Sequence, residues 1–440
     1  MGDARKAALT ALEKCRRADA WSDAVLGAVM DAEQLTGRDR GLAAALSYGV
    51  MQNRTLLDHE IAKFSTVKTG KIEPKVLDIL RISVYQILFM DKIPASAAVN
   101  EAVRLTKELG YTRAAGFVNA VLRKVAADGD ALTVAADSTA EKMSIRWSHP
   151  LWLVEYLVSA IGAEETEQFL RCDNAPVPVT AQVNTLKCTA DELISALAAE
   201  GVTAEKHPWL PDCLTLQNAG GIAALDAFKQ GLFYVQDAAA KTAVSAAAPQ
   251  PGMKILDVCA APGGKSFAAA ILSGGGSEIT ACDIHENKLK RIRSGAARLG
   301  LTDIGTTACD GRVNRPEWNG KFDLVIADVP CSGLGVIRKK PDIRWKDPAE
   351  FAGLPAIQLA ILRNAARYVA PGGTLLYSTC TVRSEENSDV VSAFLAENGD
   401  FLAENFTAPD GTVSVGGMLQ LWPPRNGTDG FFVAKLRRNQ

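Results

Sequence analysis

Lys254–Ser273, KILDVCAAPGGKSFAAAILS, is a short apolar β-rich run, then a loop with paired glycines, then an Ala-rich helix-forming stretch. The same alternation continues along the rest of the chain. After Pro251-Gly252 the runs KILDVC, EITACD, IGTTACD, FDLVIAD and GTLLYSTC are interleaved with helix-like SFAAAILS, NKLKRIRSGAARLG, AIQLAILRNAARYV and EENSDVVSAFLAE. This pattern predicts a doubly wound, mainly parallel α/β sheet over residues 241–440. Ligands of such sheets bind beyond the carboxyl ends of the strands.

Polar residues gather at those ends. Asp257 and Cys259 run into Ala260-Ala261-Pro262-Gly263-Gly264-Lys265, and Asp283, Asp310, Asp328 and Cys380 close later runs. Glycines between a strand and a helix let backbone N–H groups approach an anionic group at the helix N-terminus. Neither G-x-G-x-x-G nor a phosphate-binding GxxxxGK[ST] is present. Asp283 follows Gly263 by 20 residues, the interval at which a carboxylate on the next strand takes ribose hydroxyls. An adenosine-bearing ligand fits.

Two thiols stand on the same edge, in Asp328-Val-Pro330-Cys331-Ser-Gly333 and in Tyr377-Ser378-Thr379-Cys380-Thr381. The chain has 9 cysteines and no Cys-x-x-Cys pair, so neither a disulfide scaffold nor a zinc ribbon is indicated. Cys15, Cys172, Cys188, Cys213, Cys282 and Cys309 read as small buried hydrophobes. A metal held by Cys259, Cys331 and Cys380 lacks histidine partners and short ligand spacing. A thiolate, an acid and an adenosine-bearing cofactor together suit methylation of a pyrimidine carbon. Cytosine C5 is too poor a nucleophile to attack a methyl sulfonium; a thiolate added at C6 makes C5 enamine-like, and an acid near N3 stabilises the ring charge. A base must then remove the C5 proton. Cys380, Asp328 and Cys331 supply these groups, and the residues alone leave open which cysteine attacks.

At 440 residues the chain suggests about three compact units. Apolar residues at 48% and charged residues at 22% exclude global disorder and permit a sizeable core. The formal net charge is −2, but residues 1–125 carry 19 Lys+Arg against 14 Asp+Glu, so the front is the basic part. That front, residues 1–130, reads as consecutive helices. In EPKVLDILRISVYQILFM, Leu77, Leu80, Val84, Ile87 and Leu88 share one face behind Pro74; TRAAGFVNAVLRKV starts at a candidate N-cap, Thr112. Its basic residues, Arg54, Lys63, Arg104 and Arg123 among them, read by charge alone as a solvated helix exterior. A polar linker is expected over 127–142, then a small α+β region over 143–240. No run of about 18 apolar residues appears, and MGDARKAALTALEKC has no signal-peptide core, so a cytoplasmic protein is expected, away from membranes.

Asp257–Lys265 (DVCAAPGGK), Asp328–Trp345 (DVPCSGLGVIRKKPDIRW), Ser378–Thr381 (STCT) and Asp429–Arg437 (DGFFVAKLR) resemble the motifs of RNA cytosine-5 methyltransferases. Asn53–Phe64 (NRTLLDHEIAKF), Ile93–Lys107 (IPASAAVNEAVRLTK) and Phe117–Arg123 (FVNAVLR) resemble the NusB-like RNA-binding domain fused to that catalytic domain in bacterial RsmB/Sun (Fmu) enzymes. The resemblance spans nearly the whole chain. It implies an all-α NusB-like domain, a small α+β RNA-binding subdomain and a Rossmann-like class I methyltransferase domain. It implies S-adenosyl-L-methionine as cofactor and 16S rRNA, or a small-subunit assembly intermediate, as partner, with no DNA and no metal. It places the nucleophile at Cys380, product release at Cys331 and the N3 acid or stabiliser at Asp328. Cofactor contacts carry over to Cys259, Ala260, Ala261, Pro262, Gly263, Gly264, Lys265, Asp283, Asp310 and Asp328. Arg338, Lys339, Lys340 and Arg344 are expected to contact RNA phosphates. Gln182 stands where the family often has Arg, and Lys340 where His is common. The rival class, a non-enzymatic rRNA-binding or ribosome assembly factor with this fold, calls for loss of the nucleophile or glycine loop, and both are present.

Overall fold

The computed structural model describes residues 3–18, 22–128 and 132–440. It divides into two compact units: Met1–Ala175 with Ile337–Lys346, and Pro176–Val336 with Asp347–Gln440. Part of the expected linker, and Met1-Gly2, lie outside the described residues.

The first unit is helical: α1 (Ala4–Ala18), α2 (Ser22–Ala32), α3 (Gly37–Phe64), α4 (Pro74–Phe89), α5 (Ala95–Glu108), α6 (Ala115–Ala127), α7 (Thr139–Arg146), α8 (Leu151–Ile161) and α9 (Ala163–Asn174). α4 forms as the sequence predicts. Pro74 sits in the first turn, where a missing N–H costs nothing, and the Glu73 carboxylate accepts from the N–H groups of Lys75 and Val76. Its apolar stripe, Leu77, Leu80 and Val84, is buried against Leu46, Leu57 and Ile61 of α3 and Val118, Val121 and Leu122 of α6. Each such side chain contributes about 1.5–3 kcal/mol by leaving water. Thr112 does not cap α6. Thr112–Ala114 form a 3₁₀ turn leading directly into the helix, whose cap position is Ala114. The linker is also shorter than expected, because α7 begins inside it, capped by the Ser138 hydroxyl accepting from Glu141 N–H.

Ile337–Lys346 belongs to this helical unit, and that corrects the expectation for Arg344. Arg344 is fully buried, donating from Nη1 to the carbonyls of Gln52 and Ser148 and to Asn174 Oδ1 at 3.0–3.1 Å. Burial lowers its guanidinium to about 10. A guanidinium spent on three internal acceptors is a staple for the helical unit and not a phosphate contact. Trp345 follows the same logic, its indole N–H donating to Met51 O at 2.9 Å. Arg338 and Lys339 are half-buried and Lys340 is exposed.

The second unit holds two sheets. The smaller is antiparallel, with strands β1 (Val179–Val183), β2 (Thr203–Lys206), β3 (Cys213–Gln217) and β4 (Phe233–Val235) in the order β2-β3-β1-β4. The helix Ala190–Ala199 covers it through Leu193 and Leu197. Gln182 on β1 is fully buried and donates to Gln236 O at 2.9 Å, so it serves this core.

The larger sheet contains β5 (Lys254–Asp257), β6 (Glu278–Asp283), β7 (Ile304–Ala308), β8 (Phe322–Asp328), β9 (Val369–Thr379), β10 (Phe401–Ala403), β11 (Met418–Leu421) and β12 (Phe431–Arg438). The order is β10-β12-β9-β8-β5-β6-β7, with β11 on β12. β5 to β9 are parallel, as the alternation predicts. The remaining strands are antiparallel, so the sheet is mixed. The chain runs outward from β5 through β6 to β7 and then resumes on the other side at β8. The switch point therefore lies between β5 and β8, where such sheets bind ligands.

Candidate active site

β5 delivers the glycine loop to that switch point. Gly263 has φ +112°, a left-handed conformation that glycine adopts without strain, and it caps the helix Gly264–Leu272. A Cβ on Gly264 would stand 2.7 Å from Gln236 Nε2, so a side chain there would have to displace the Gln236 amide. The loop is tied to β6 by the Ala260 N–H donating to Cys282 O at 2.6 Å.

Beneath the loop, Asp257 is fully buried. Its Oδ2 accepts from Ser266 Oγ at 2.7 Å, while Oδ1 has no hydrogen-bond partner among the described residues. Burial pushes this carboxyl up to about 7, with Asp328 adding to the rise and Ser266 opposing it. Cys259 is half-buried, and burial together with Asp257, Asp328 and Asp283 raises its thiol well above the ordinary range. Asp283, at the end of β6, accepts from His285 N–H at 2.9 Å. Asp310 is gripped by Arg312, whose hydrogen bonds lower its carboxyl.

Asp328 ends β8, beside Ser378 of β9. Its Oδ2 lies 2.7 Å from Lys265 Nζ and its Oδ1 accepts from Ser378 Oγ at 2.8 Å. Lys265 is itself nearly buried, its ammonium 4.9 Å from the centre of the Phe431 ring. The glycine-loop helix is thus ion-paired to the acid of the next strand end.

The two thiols meet. Cys331 Sγ, on the loop after β8, is 3.3 Å from Cys380 Sγ, just past β9. The approach is enforced by backbone: Val329 N–H donates to Ser378 O at 3.1 Å and Gly335 N–H to Cys380 O at 3.0 Å. Ser332 Oγ lies 2.7 Å from Thr381 Oγ1. Gly430 then donates to Gly335 O at 2.8 Å, and a Cβ on Gly335 would stand 1.8 Å from Gly430 O. The hydrogen bond to Cys380, burial, and the charges of Cys380 and Glu386 push the Cys331 thiol well up. The 3.3 Å contact itself allows either sulfur to donate.

Two groups escaped the sequence reading. Glu386 and Asn387, directly after the Thr-Cys motif, read there as the start of a helix; their side chains instead turn under both cysteine segments. The available signal was a doubled acid, Glu385-Glu386, a few residues beyond a polar strand end. Among the described residues, no three His, Cys, Asp or Glu group as metal ligands. No helix among the described residues is long and apolar enough to cross a membrane.

A doubly wound sheet of this strand order, with a glycine loop at the switch point and acids on the adjoining strand ends, defines an S-adenosylmethionine-dependent methyltransferase domain. Residues 244–437 match the family model of 16S rRNA methyltransferase RsmB/F, residues 2–127 the NusB family and residues 149–223 the ferredoxin-like domain of RsmF/B-like methyltransferases. A probable ribosomal RNA small subunit methyltransferase B of Bacillus subtilis is 38% identical, over 99% of this chain and 98% of that protein. The crystal structure of PH0851 has a TM-score of 0.82 at 26% identity, covering 99% of this chain and 98% of that one. A methyltransferase homolog from Pyrococcus horikoshii gives 0.58 at 26%, covering 69% of this chain and all of that one. The chain belongs to the RsmB family of small-subunit ribosomal RNA methyltransferases.

Its residues fit the cofactor. Cys259–Lys265 offer a backbone cradle, Asp283 a carboxylate at the ribose interval, and Asp257 Oδ1 a buried acceptor lacking a donor, suited to a cationic ligand.

Proposed function

We propose that the protein methylates C5 of a cytosine in 16S rRNA, free or within a small-subunit assembly intermediate, through a covalent bond between Cys380 and C6. The observation that carries this reading is the pair of sulfurs 3.3 Å apart beside Asp328. S-adenosylmethionine, when bound, supplies an electrophilic methyl group on a sulfonium sulfur.

Cys380 attacks as thiolate. The S–H of Cys331 donates to its sulfur and stabilises that charge. As the C6–S bond forms, the C5=C6 pair moves to C4–C5 and the C4=N3 pair onto N3, which takes a proton relayed from the Lys265 ammonium through the Asp328 carboxylate and returns it after C5 is methylated. C5, now enamine-like, takes the methyl. Cys380 is then a neutral thioether, so one of the charges that hold the Cys331 proton in place is gone. Cys331 gives its proton to solvent and, as thiolate, removes the C5 proton; the electron pair of that C–H bond restores C5=C6 as Cys380 leaves as thiolate. Attack from the ring face requires the base out of its stack.

The same reading makes the basic helical unit and the small sheet RNA-gripping parts, in a cytoplasmic enzyme acting on RNA and not DNA, with salt-dependent binding. The test is incubation with ribosomal RNA and labelled S-adenosylmethionine, followed by mapping of the labelled base and ring position. Cys380→Ala should abolish transfer while retaining cofactor binding; turnover comparable to wild type refutes the assignment.

A further inference from the structure

We propose that Glu386 is the positioning residue for product release: bonded directly to the residue after Cys331 and through Gln358 to the residue before it, its carboxylate holds that thiol against Cys380. The inference rests on the covalent reading above and extends it to a residue that touches neither substrate nor cofactor.

Glu386 is fully buried, in a 3₁₀ turn (Ser384–Glu386) six residues beyond Cys380. Its Oε2 accepts from Ser332 N–H at 2.8 Å, immediately after Cys331, and from Gln358 Nε2 at 3.0 Å. Gln358 Nε2 also donates to Pro330 O at 2.9 Å, immediately before Cys331. One carboxylate oxygen therefore pins both flanks of the thiol. The same residue is fastened to β9, because its backbone carbonyl accepts from Tyr377 OH at 2.6 Å, three residues ahead of Cys380. Asn387 completes the clamp, donating to Thr381 O at 3.1 Å. Deleting the Glu386 side chain frees the Cys331 loop from the Cys380 strand at the point where the sulfurs must stay in reach.

The carboxylate also acts by charge. Oε1 is buried without a hydrogen bond, and Arg383 Nη1 approaches it only to 3.6 Å, so the negative charge is incompletely compensated. The groups bearing on Cys331 are Cys380 beyond β9, Glu386, Tyr377 of β9 and the backbone of Gly333, whose hydrogen bond opposes the rise, with Arg383 beside Glu386. Glu386 is among the causes that raise the Cys331 thiol. It makes Cys331 a stronger base and postpones its ionisation until Cys380 has lost its charge. A buried acid here costs desolvation, and an apolar residue would pack without it. The two bonds flanking a reacting thiol account for keeping the acid.

The experiment compares wild type, Glu386→Ala, Glu386→Gln and Cys380→Ala on ribosomal RNA with labelled S-adenosylmethionine. It reads single-turnover transfer, steady-state turnover and the covalent protein–RNA band on a denaturing gel, across pH. Glu386→Ala should transfer the first methyl group, accumulate the adduct and lose roughly 10²-fold in steady-state turnover, the scale of a misplaced reacting group. Glu386→Gln keeps an oxygen for Ser332 N–H but no charge, so the acid limb of release moves to lower pH. A purely structural role would not produce that shift. Wild-type turnover without adduct in Glu386→Ala, or an unshifted profile in Glu386→Gln, overturns the proposal. If Glu386→Ala melts below the assay temperature, the Glu386→Gln profile alone decides. Transfer by Cys380→Ala would bring down the covalent reading, whereas an inactive Cys380→Ala beside wild-type Glu386 variants brings down only the role of Glu386.

Discussion

Asp257→Asn probes the electrostatics under the glycine loop. The wild-type carboxyl is wholly buried, accepts from Ser266 Oγ, and sits at about 7 instead of its ordinary 3.8. The folded chain holds this proton more tightly than the unfolded chain does. Its contribution to stability is therefore fully present below the unfolded value and is lost as pH rises through about 7. A displacement of about 3 pH units at about 1.4 kcal/mol each amounts to about 4 kcal/mol in all, of which about 2–3 kcal/mol falls between pH 5 and pH 8. Asparagine has nearly the same shape, still accepts from Ser266 Oγ and carries no charge. Urea denaturation of the ligand-free protein, wild type and Asp257→Asn, measured at both pH values, reads the difference directly. The stability of Asp257→Asn relative to wild type should grow with pH by that amount. Parallel pH dependences would show that Asp257 is not the buried, under-bonded acid described, and the reasoning would fail.

Cys331→Ala should leave a covalent protein–RNA adduct because the C5 proton has no acceptor; a denaturing gel without a shifted band counts against that role. Gly335→Ala should destabilise the methyltransferase domain by about 1–3 kcal/mol, since the added carbon meets the Gly430 carbonyl and both chains are backbone-bonded there. A wild-type denaturation curve for this variant would contradict the tight crossing of the two segments.

The parallel half of the large sheet was legible because β5, β6, β8 and β9 carry buried apolar runs with Asp or Cys at or just past their ends, a local pattern that burial on both faces imposes, and the partly exposed edge strand β7 keeps the Cys309-Asp310 ending. β10 and β11 carry no such mark. They are short and lie at the antiparallel edge, where pairing with β12 decides their place. β2 escaped for the same reason, Thr203–Lys206 being a mostly exposed, polar edge strand. Thr112 misled because a good capping side chain is only an offer; the 3₁₀ turn before α6 supplied the bonds instead. Arg344 misled because a charged residue in a basic run reads as a phosphate contact, and nothing local announces that Gln52, Ser148 and Asn174 will collect around it.

Sequence alone determined that strand ends rich in Asp and Cys would line one edge of an α/β sheet, since strand, loop and helix follow from neighbours a few positions apart. Tertiary structure alone decided that Cys331 and Cys380, 49 residues apart, stand 3.3 Å from each other, and that Glu386 lies beneath them. Local periodicity fixes which way a strand ends. Distances between side chains on different strands are set by register and loop hydrogen bonding, which exist only once the whole sheet has formed.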